Sequence, residues 1–284
     1  MMDSSESQPL LEVKGLDVTY PIKKGLRTKD FQVLHGVHAT LERGRTLGLV
    51  GESGSGKSTL GRAILGLAPV SGGSISFEGE DITHATRRER RKLSRDMQVV
   101  FQDPYTSLNP AMTIGDILSE PLWIQGRPAS ESRARVAQLL DEVQLPSDAV
   151  DRLPREFSGG QRQRVAIARA LALEPKLIVC DEPVSALDLS TQARVLDLFL
   201  SIQQHTGVSY LFVSHDLDVV RHISHEVSVM TGGRIVEHGD AQQVTGDPQH
   251  PYTRKLLMAS PVIDPDRQAE RRAERRRLAA ETAA

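Results

Sequence analysis

The chain alternates short apolar runs with polar or glycine-rich joints, and the spacing of the apolar positions changes along its length. Up to about residue 80 the runs are short: Leu11 to Tyr20, Phe31 to Leu41, Thr46 to Val50 and Ser74 to Glu78 predict β-strands. Most joints between them are too short for a crossover helix, so part of this region is expected to be antiparallel. The exception follows Val50, where a glycine-rich turn leads into a helix over Ser58 to Gly66. Residues 87 to 95, RRERRKLSR, carry six basic residues and one acid and predict a solvated helix face, with a phosphate or lipid contact as the alternative. A strand-like MQVVFQ comes next, ending at Gln102.

From Asp103 to Phe157 the texture becomes helical. Thr113 opens TIGDILSEPLW, and Ser130 to Val143 puts Val136, Leu139, Leu140 and Val143 on one face. A small helical subdomain is expected here. Residues 160 to 173 predict a further helix; after it strand-like 177–180, helix-like 190–205 and strand-like 209–214 alternate, which implies a parallel α/β sheet. A proline-punctuated segment follows Val236, and the tail from Asp264 carries six arginines against five acids, expected as a frayed, solvated helix, with a specific docking arm as the alternative. No internal repeat is visible, so one copy of this unit is expected, not two.

Composition narrows the classes. The 284 residues suffice for one large domain or two small ones. With 35 Lys plus Arg against 37 Asp plus Glu, bulk electrostatic binding of nucleic acid is not expected, and 4% aromatic residues leave little for base stacking. No apolar run approaches the roughly 20 residues of a bilayer-spanning helix, and the polar, acidic start MMDSSESQPL does not resemble a signal peptide. Cys180 is the single cysteine, which excludes an intramolecular disulfide and a four-cysteine metal site and points to a reducing, cytoplasmic setting.

The chemistry concentrates at three places. Gly51, Glu52, Ser53, Gly54, Ser55, Gly56, Lys57, Ser58 and Thr59 satisfy G-x-x-x-x-G-K-[ST] between a strand and a helix. Glycines let the backbone wrap close to phosphates, the helix N-terminus adds partial positive charge, Lys57 is placed for the β and γ phosphates, and Ser58 for Mg²⁺. Asp181 and Glu182 end the buried run 177–180, at the carboxyl edge of a sheet where α/β proteins bind ligands. Asp181 suits the Mg²⁺ shell and Glu182 suits activation of a water, so the pair reads as hydrolytic. Third, Ser158, Gly159, Gly160 and Gln161 open a helix. Ser158 and Gln161 have capping-box spacing, which explains those two locally. Adjacent glycines cost helix stability, so they suggest that something approaches the backbone.

GESGSGKST, FSGGQ and LIVCDEP in that order, with Gln102 between the first two and His215 after the last, resemble the ATP-binding subunits of ATP-binding cassette transporters over essentially the whole chain. The resemblance implies a P-loop NTPase, RecA-like α/β core with an antiparallel β subdomain, an inserted α-helical subdomain and a C-terminal extension. The expected divisions are 1–102 and 162–246 for the two parts of the core, 103–161 for the helical subdomain and 247–284 for the extension. It also implies ATP and Mg²⁺, and a head-to-tail dimer in which one phosphate loop faces the other cassette's FSGGQ. By this resemblance Tyr20 stacks on adenine, Gln102 touches Mg²⁺ or the attacking water, Asp188 bridges the dimer and His215 contacts the γ-phosphate. Each has an ordinary alternative: Tyr20 a strand aromatic, Gln102 a polar strand end, His215 a helix cap. Phe157 stands where many relatives have leucine and is expected to pack under the loop. His222 and His225 are expected on a wet helix face, without the ligands for a metal.

FQDPYTSLNPAMTIGDILSEPL (101–122) and HPYTRKLLMASP (250–261) resemble the peptide and nickel importer branch, which also handles glutathione and some oligosaccharides. Relatives of one type there carry a C-terminal cysteine cluster; this chain lacks it and resembles the cluster-free type. The implied partners are a different, homologous ATPase, two transmembrane permease subunits and an extracytoplasmic solute-binding protein, with the chain peripheral at the cytoplasmic face of the membrane. A cassette ATPase acting on DNA or ribosomes is the alternative from another class.

Overall fold

The computed structural model describes residues 8–24 and 27–259; the arginine-rich tail lies outside them. Two sheets organise the chain. An antiparallel sheet has the order β2-β1-β4-β5, formed by β1 (Leu11–Lys24), β2 (Arg27–Leu41), β4 (Val70–Phe77) and β5 (Glu80–Asp81). The second sheet has the order β10-β9-β3-β8-β7-β6, from β3 (Thr46–Val50), β6 (Met97–Val100), β7 (Leu177–Asp181), β8 (Ser209–Ser214), β9 (Glu226–Thr231) and β10 (Arg234–Asp240). Its strands are parallel except β10, which runs antiparallel to β9.

Strand alternation sorts side chains to the two faces of this second sheet. Leu177 and Val179 of β7, with Leu211 and Val213 of β8, share one apolar cluster with Val13 and Leu16 of the antiparallel sheet. Leu60 and Ile64 of α1 (Lys57–Ile64) complete it. Their neighbours Ile178, Cys180, Tyr210 and Phe212 face the other way, into a cluster built on helices. There Phe199 meets the rings of Tyr210 and Phe212 edge-on, with centroids 5.3 and 5.6 Å away. Cys180 is wholly buried, and burial followed by the charge of Asp181 pushes its thiol pKa well up.

The helices of that side lie mostly between β6 and β8. They are α3 (Pro104–Ser107), α4 (Ile114–Ile124), α5 (Ala129–Glu142), α6 (Gly159–Leu171) and α7 (Leu189–Thr206). Thr113 caps α4 by accepting the Asp116 amide, and Val136, Leu139 and Leu140 of α5 are buried as the periodicity predicts. α8 (Leu217–Ile223), α9 (Ala241–Gly246) and α10 (Pro251–Ala259) flank β9 and β10.

Several elements differ from the sequence expectation. β1, β2 and β4 extend beyond their apolar runs because the ladder continues through residues such as Lys23, Lys29 and Gly72. β6 stops at Val100, so Phe101 and Gln102 lie past the strand rather than in it. α2 (Arg87–Asp96) buries no residue, as a solvated helix should, and a Thr86–Glu89 capping box starts it. Its Arg90 nevertheless reaches inward, donating to the Ile64 and Ile82 carbonyls, and burial lowers its pKa. This guanidinium satisfies an orphan carbonyl at the end of α1.

His225 is the other correction. α8 ends at Ile223, so His225 is not on its face; its Nδ1 accepts from the Thr46 amide at 3.0 Å and its own amide donates to the Thr46 carbonyl. His222 is on α8, exposed, 3.2 Å from Asp197. Burial, with Arg45 adding to it and Glu226 opposing, lowers the His225 pKa, so the fold favours the neutral ring that accepts from Thr46. The unfolded chain takes up this proton first, below pH ~6.5, so the contribution to stability is complete above that value and is lost as pH falls through the lower folded value. The melting temperature should therefore fall more steeply from pH 7 to pH 5 in the native chain than in His225→Leu; parallel profiles would refute this role for His225.

Candidate functional site

β3 is buried along its whole length and delivers the chain to Gly51 at the carboxyl edge of the parallel strands. The loop turns tightly at its glycines: a Cβ on Gly51 would lie 2.0 Å from the Met230 carbonyl oxygen, and Gly54 and Gly56 have φ of 80° and 108°. Gly56 is also the N-cap of α1 and offers no side-chain cap. The first intrahelical bond runs from Leu60 to the Gly56 carbonyl, so the amides of Lys57, Ser58 and Thr59 precede the ladder. Such a helix start favours an anion.

Lys57 is only 4% exposed. Its ammonium donates to the carbonyls of Gly51 at 2.7 Å and Glu52 at 2.9 Å, closing the loop on itself. Burial lowers its pKa, while the charges of Glu182 and then Asp181 oppose that shift. The next residue makes the link to the second motif: Ser58 Oγ donates to Asp181 Oδ1 at 2.7 Å, across 123 positions of sequence.

Asp181 closes β7, paired with Val213, and the chain then bends sharply. Glu182 has φ 49° and donates its amide to the Val213 carbonyl. This bend sends the two acids to different partners, Asp181 toward Ser58 and Glu182 toward His215, whose Nδ1 is 3.1 Å from Glu182 Oε2. His215 follows β8, which is why strand pairing brings it beside Glu182. Gln102 is exposed and lines one cleft with Asp181, Arg62 and Arg169. Ser58, Asp181 and Gln102 thus offer oxygen donors of the kind Mg²⁺ takes, few enough to need phosphate oxygens as well. Among the described residues no group of three or more His, Cys, Asp or Glu could hold a metal unaided.

Tyr20 lies on β1 and packs against the cluster of the antiparallel sheet. The same hairpin approaches the loop through Leu34, the register partner of Val18, whose Cδ2 would be 2.8 Å from a Cβ on Gly56.

The start of α6 is separate. No hydrogen bond or ion pair among the described residues joins Ser158–Gln161 to the loop 51–59. The capping box forms, with Ser158 N donating to Gln161 Oε1 at 3.0 Å and Gln161 N to Ser158 Oγ at 3.3 Å. Gly160 has an internal reason to be glycine, since its Cβ would lie 2.3 Å from Thr191 Cγ2; the inference of an external approach survives only for Gly159, whose Cβ would have ordinary room. Asp188, the N-cap of α7, accepts from Thr191 N, Thr191 Oγ1 and Ser190 Oγ, which hold its carboxyl well below the usual range. Phe157 is buried, with the Arg152 guanidinium 4.6 Å from its ring centroid.

One residue escaped the motif reading altogether. The Glu52 amide donates to the hydroxyl of Tyr252, within HPYT, at 3.0 Å. The only sequence signal was the HPYT segment itself, which carries no hint of this contact.

Residues 34–185 match the model of a family described as ABC transporter, and residues 236–284 match that of the oligopeptide/dipeptide transporter C-terminal region. The chain belongs to the ABC transporter family. It is 50% identical over 266 residues to the oligopeptide transport ATP-binding protein OppD of Mycobacterium tuberculosis, covering 92% of this chain and 44% of that protein. It is 49% identical over 271 residues to the glutathione import ATP-binding protein GsiA of Escherichia coli K12, covering 94% and 44%. The oligopeptide transport ATP-binding protein OppF of Lactococcus lactis is 47% identical over 270 residues, covering 94% and 85%. The chain thus spans under half the length of the first two relatives and most of the third. Among solved structures, cbiO1 of Clostridium perfringens, part of the transporter complex cbiONQ, superposes with a TM-score of 0.75 at 28% identity, covering 89% of this chain and 94% of that one. The ATP-binding cassette MJ0796, a dimer in a post-hydrolysis state bound to ADP and Pi, gives 0.72 at 29%, covering 81% and 98%.

Gly160→Ala should lower stability by about 1–3 kcal/mol, the usual cost of overpacking, whereas Gly159→Ala should leave the unfolding midpoint unchanged or slightly raised. Equal midpoints for the two variants in urea denaturation would refute the packing reason for Gly160.

Proposed function

We propose that this chain is the ATP-hydrolysing subunit of a peptide importer, working with Mg²⁺ as a peripheral protein at the cytoplasmic face of the cell membrane. The observation that carries the reading is the Ser58–Asp181 bond beside the Glu182–His215 pair, which brings a phosphate loop and two differently partnered acids to one sheet edge. No helix of the described residues is long and apolar enough to cross a membrane, and in this reading the solute path is supplied by permease subunits. The OppD, OppF and GsiA likenesses favour peptides, glutathione being a small one, over nickel or an oligosaccharide.

In this reading ATP draws the Lys57 ammonium from its two carbonyls to phosphate oxygens, while the amides at the start of α1 take the rest of the phosphate charge. Ser58, Asp181 and Gln102 hold Mg²⁺, which neutralises charge on the phosphates. Glu182 takes a proton from a water whose oxygen attacks the γ-phosphorus; the bond to the bridging oxygen breaks, giving ADP and phosphate. His215 orients Glu182 and reaches toward the γ-phosphate. Tyr20 supports the adenine. Residues 1–102 and 162–246 act as the core, 103–161 as the helical subdomain that carries Ser158 to Gln161, and 247–284 as the extension. The start of α6 serves the phosphate loop of a second, homologous cassette, with Asp188 at the seam, and a solute-binding protein supplies the substrate. The dimeric neighbour structure supports such pairing.

Glu182→Gln should bind ATP with native affinity while hydrolysis falls by about 10²-fold or more, the usual worth of a positioned base. Native hydrolysis in that variant would overturn the assignment. Purification from detergent-solubilised membranes should recover permease subunits; recovery of ribosomes or DNA without them would favour the other class.

A further inference from the structure

The segment 248–257 folds back onto the phosphate loop and is tied down before it arrives. The Glu237 carboxylate on β10 accepts from the amides of Gln249 at 2.6 Å and His250 at 3.1 Å. His250 Nδ1 then accepts the Tyr252 amide at 3.2 Å, fixing the first turn of α10. Thr253 is fully buried, and Leu256 shares an apolar cluster with Val50, the residue that precedes the loop. Tyr252 packs against the same cluster, which aims its ring.

From there Tyr252 reaches the Gly51–Glu52 peptide. Among the described residues every peptide bond is trans, so the carbonyl and the amide of this one point in opposite directions. Lys57 Nζ donates to the Gly51 carbonyl at 2.7 Å, and the Glu52 amide donates to Tyr252 Oη at 3.0 Å. One peptide plane is therefore gripped on both sides, by the lysine of the loop and by a tyrosine 200 positions away. A lysine that moves to phosphate oxygens gives up its grip, and the tyrosine does not.

We infer that Tyr252 is a positioning residue for the phosphate loop: its hydroxyl fixes the Gly51–Glu52 peptide so that the loop keeps its phosphate-binding shape when Lys57 turns to a nucleotide. This rests on the reading that the loop binds ATP. It gives the HPYT segment a role inside the cassette, as a strap from β10 to the nucleotide site.

The test uses Tyr252→Phe in the full chain, which keeps the ring and its packing and removes only the hydroxyl. Losing one neutral hydrogen bond should weaken MgADP binding, measured calorimetrically, by about three- to ten-fold. In the assembled transporter the KM for ATP should rise by a similar factor while kcat stays within about two-fold, the signature of a binding contact made equally in ground and transition states. Unchanged MgADP affinity overturns the inference even if the melting temperature falls, because a strap that only braces the fold would give that result. A parallel loss of kcat also overturns it, since that indicates general damage to the site. As a second variant, Glu237→Gln should weaken MgADP binding in the native chain and add nothing to Tyr252→Phe; additive losses would overturn the route through Tyr252. Lys57→Ala separates the two levels: if it binds MgADP as tightly as the native chain, the nucleotide reading of the loop fails, and the inference with it.

Discussion

A buried ammonium group must be hydrogen-bonded, and much of the site is organised around that requirement at Lys57. Its charge is taken up by two carbonyls of its own loop and is balanced through space by Glu182 and Asp181. To present those carbonyls, the chain must leave the buried strand β3 and coil back within a few residues, which it does through Gly51, Gly54 and Gly56. To present the acids, β7 must lie within reach of α1, which β8, seated between β3 and β7 in the parallel sheet, arranges. In this state the lysine is held by two carbonyls of its own loop, so the loop keeps its shape through contacts made within itself.

The parallel sheet enforces this geometry because both of its faces are covered. Residues one apart on β7 and β8 serve different apolar clusters, so a shift of register by a single residue would exchange the two sides and move Asp181 away from Ser58. The acids sit where pairing runs out, at the strand ends, and the sharp bend at Glu182 separates their duties.

What the sequence made legible was local. The loop 51–59, the strand ending in Asp181, the box at Ser158 and the amphipathic face of Ser130–Val143 are each written in a short continuous stretch, where spacing maps directly onto geometry. What it concealed was the meeting of distant segments. Nothing near Gly160 announces Thr191, nothing near His225 announces Thr46, and nothing near Tyr252 announces Glu52. In each case the partner is chosen by how helices and strands dock, which no local period records. Gln102 is an intermediate case: the apolar run led toward it, but the strand ended two residues earlier, leaving its amide in the cleft beside Asp181.

Cys180 stands wholly buried among apolar neighbours, its thiol disfavoured from ionising. Thiolate is the reactive form, so this chain's sole sulfhydryl is chemically silent while the protein is folded. A cysteine placed at will on the surface would then be the single handle for a thiol-directed dye or spin label, and the native residue could stay where the sheet needs it. The same silence has a second use: if Cys180 begins to react, the cover over β7 has opened, and the rate of that reaction reads the opening of the core directly.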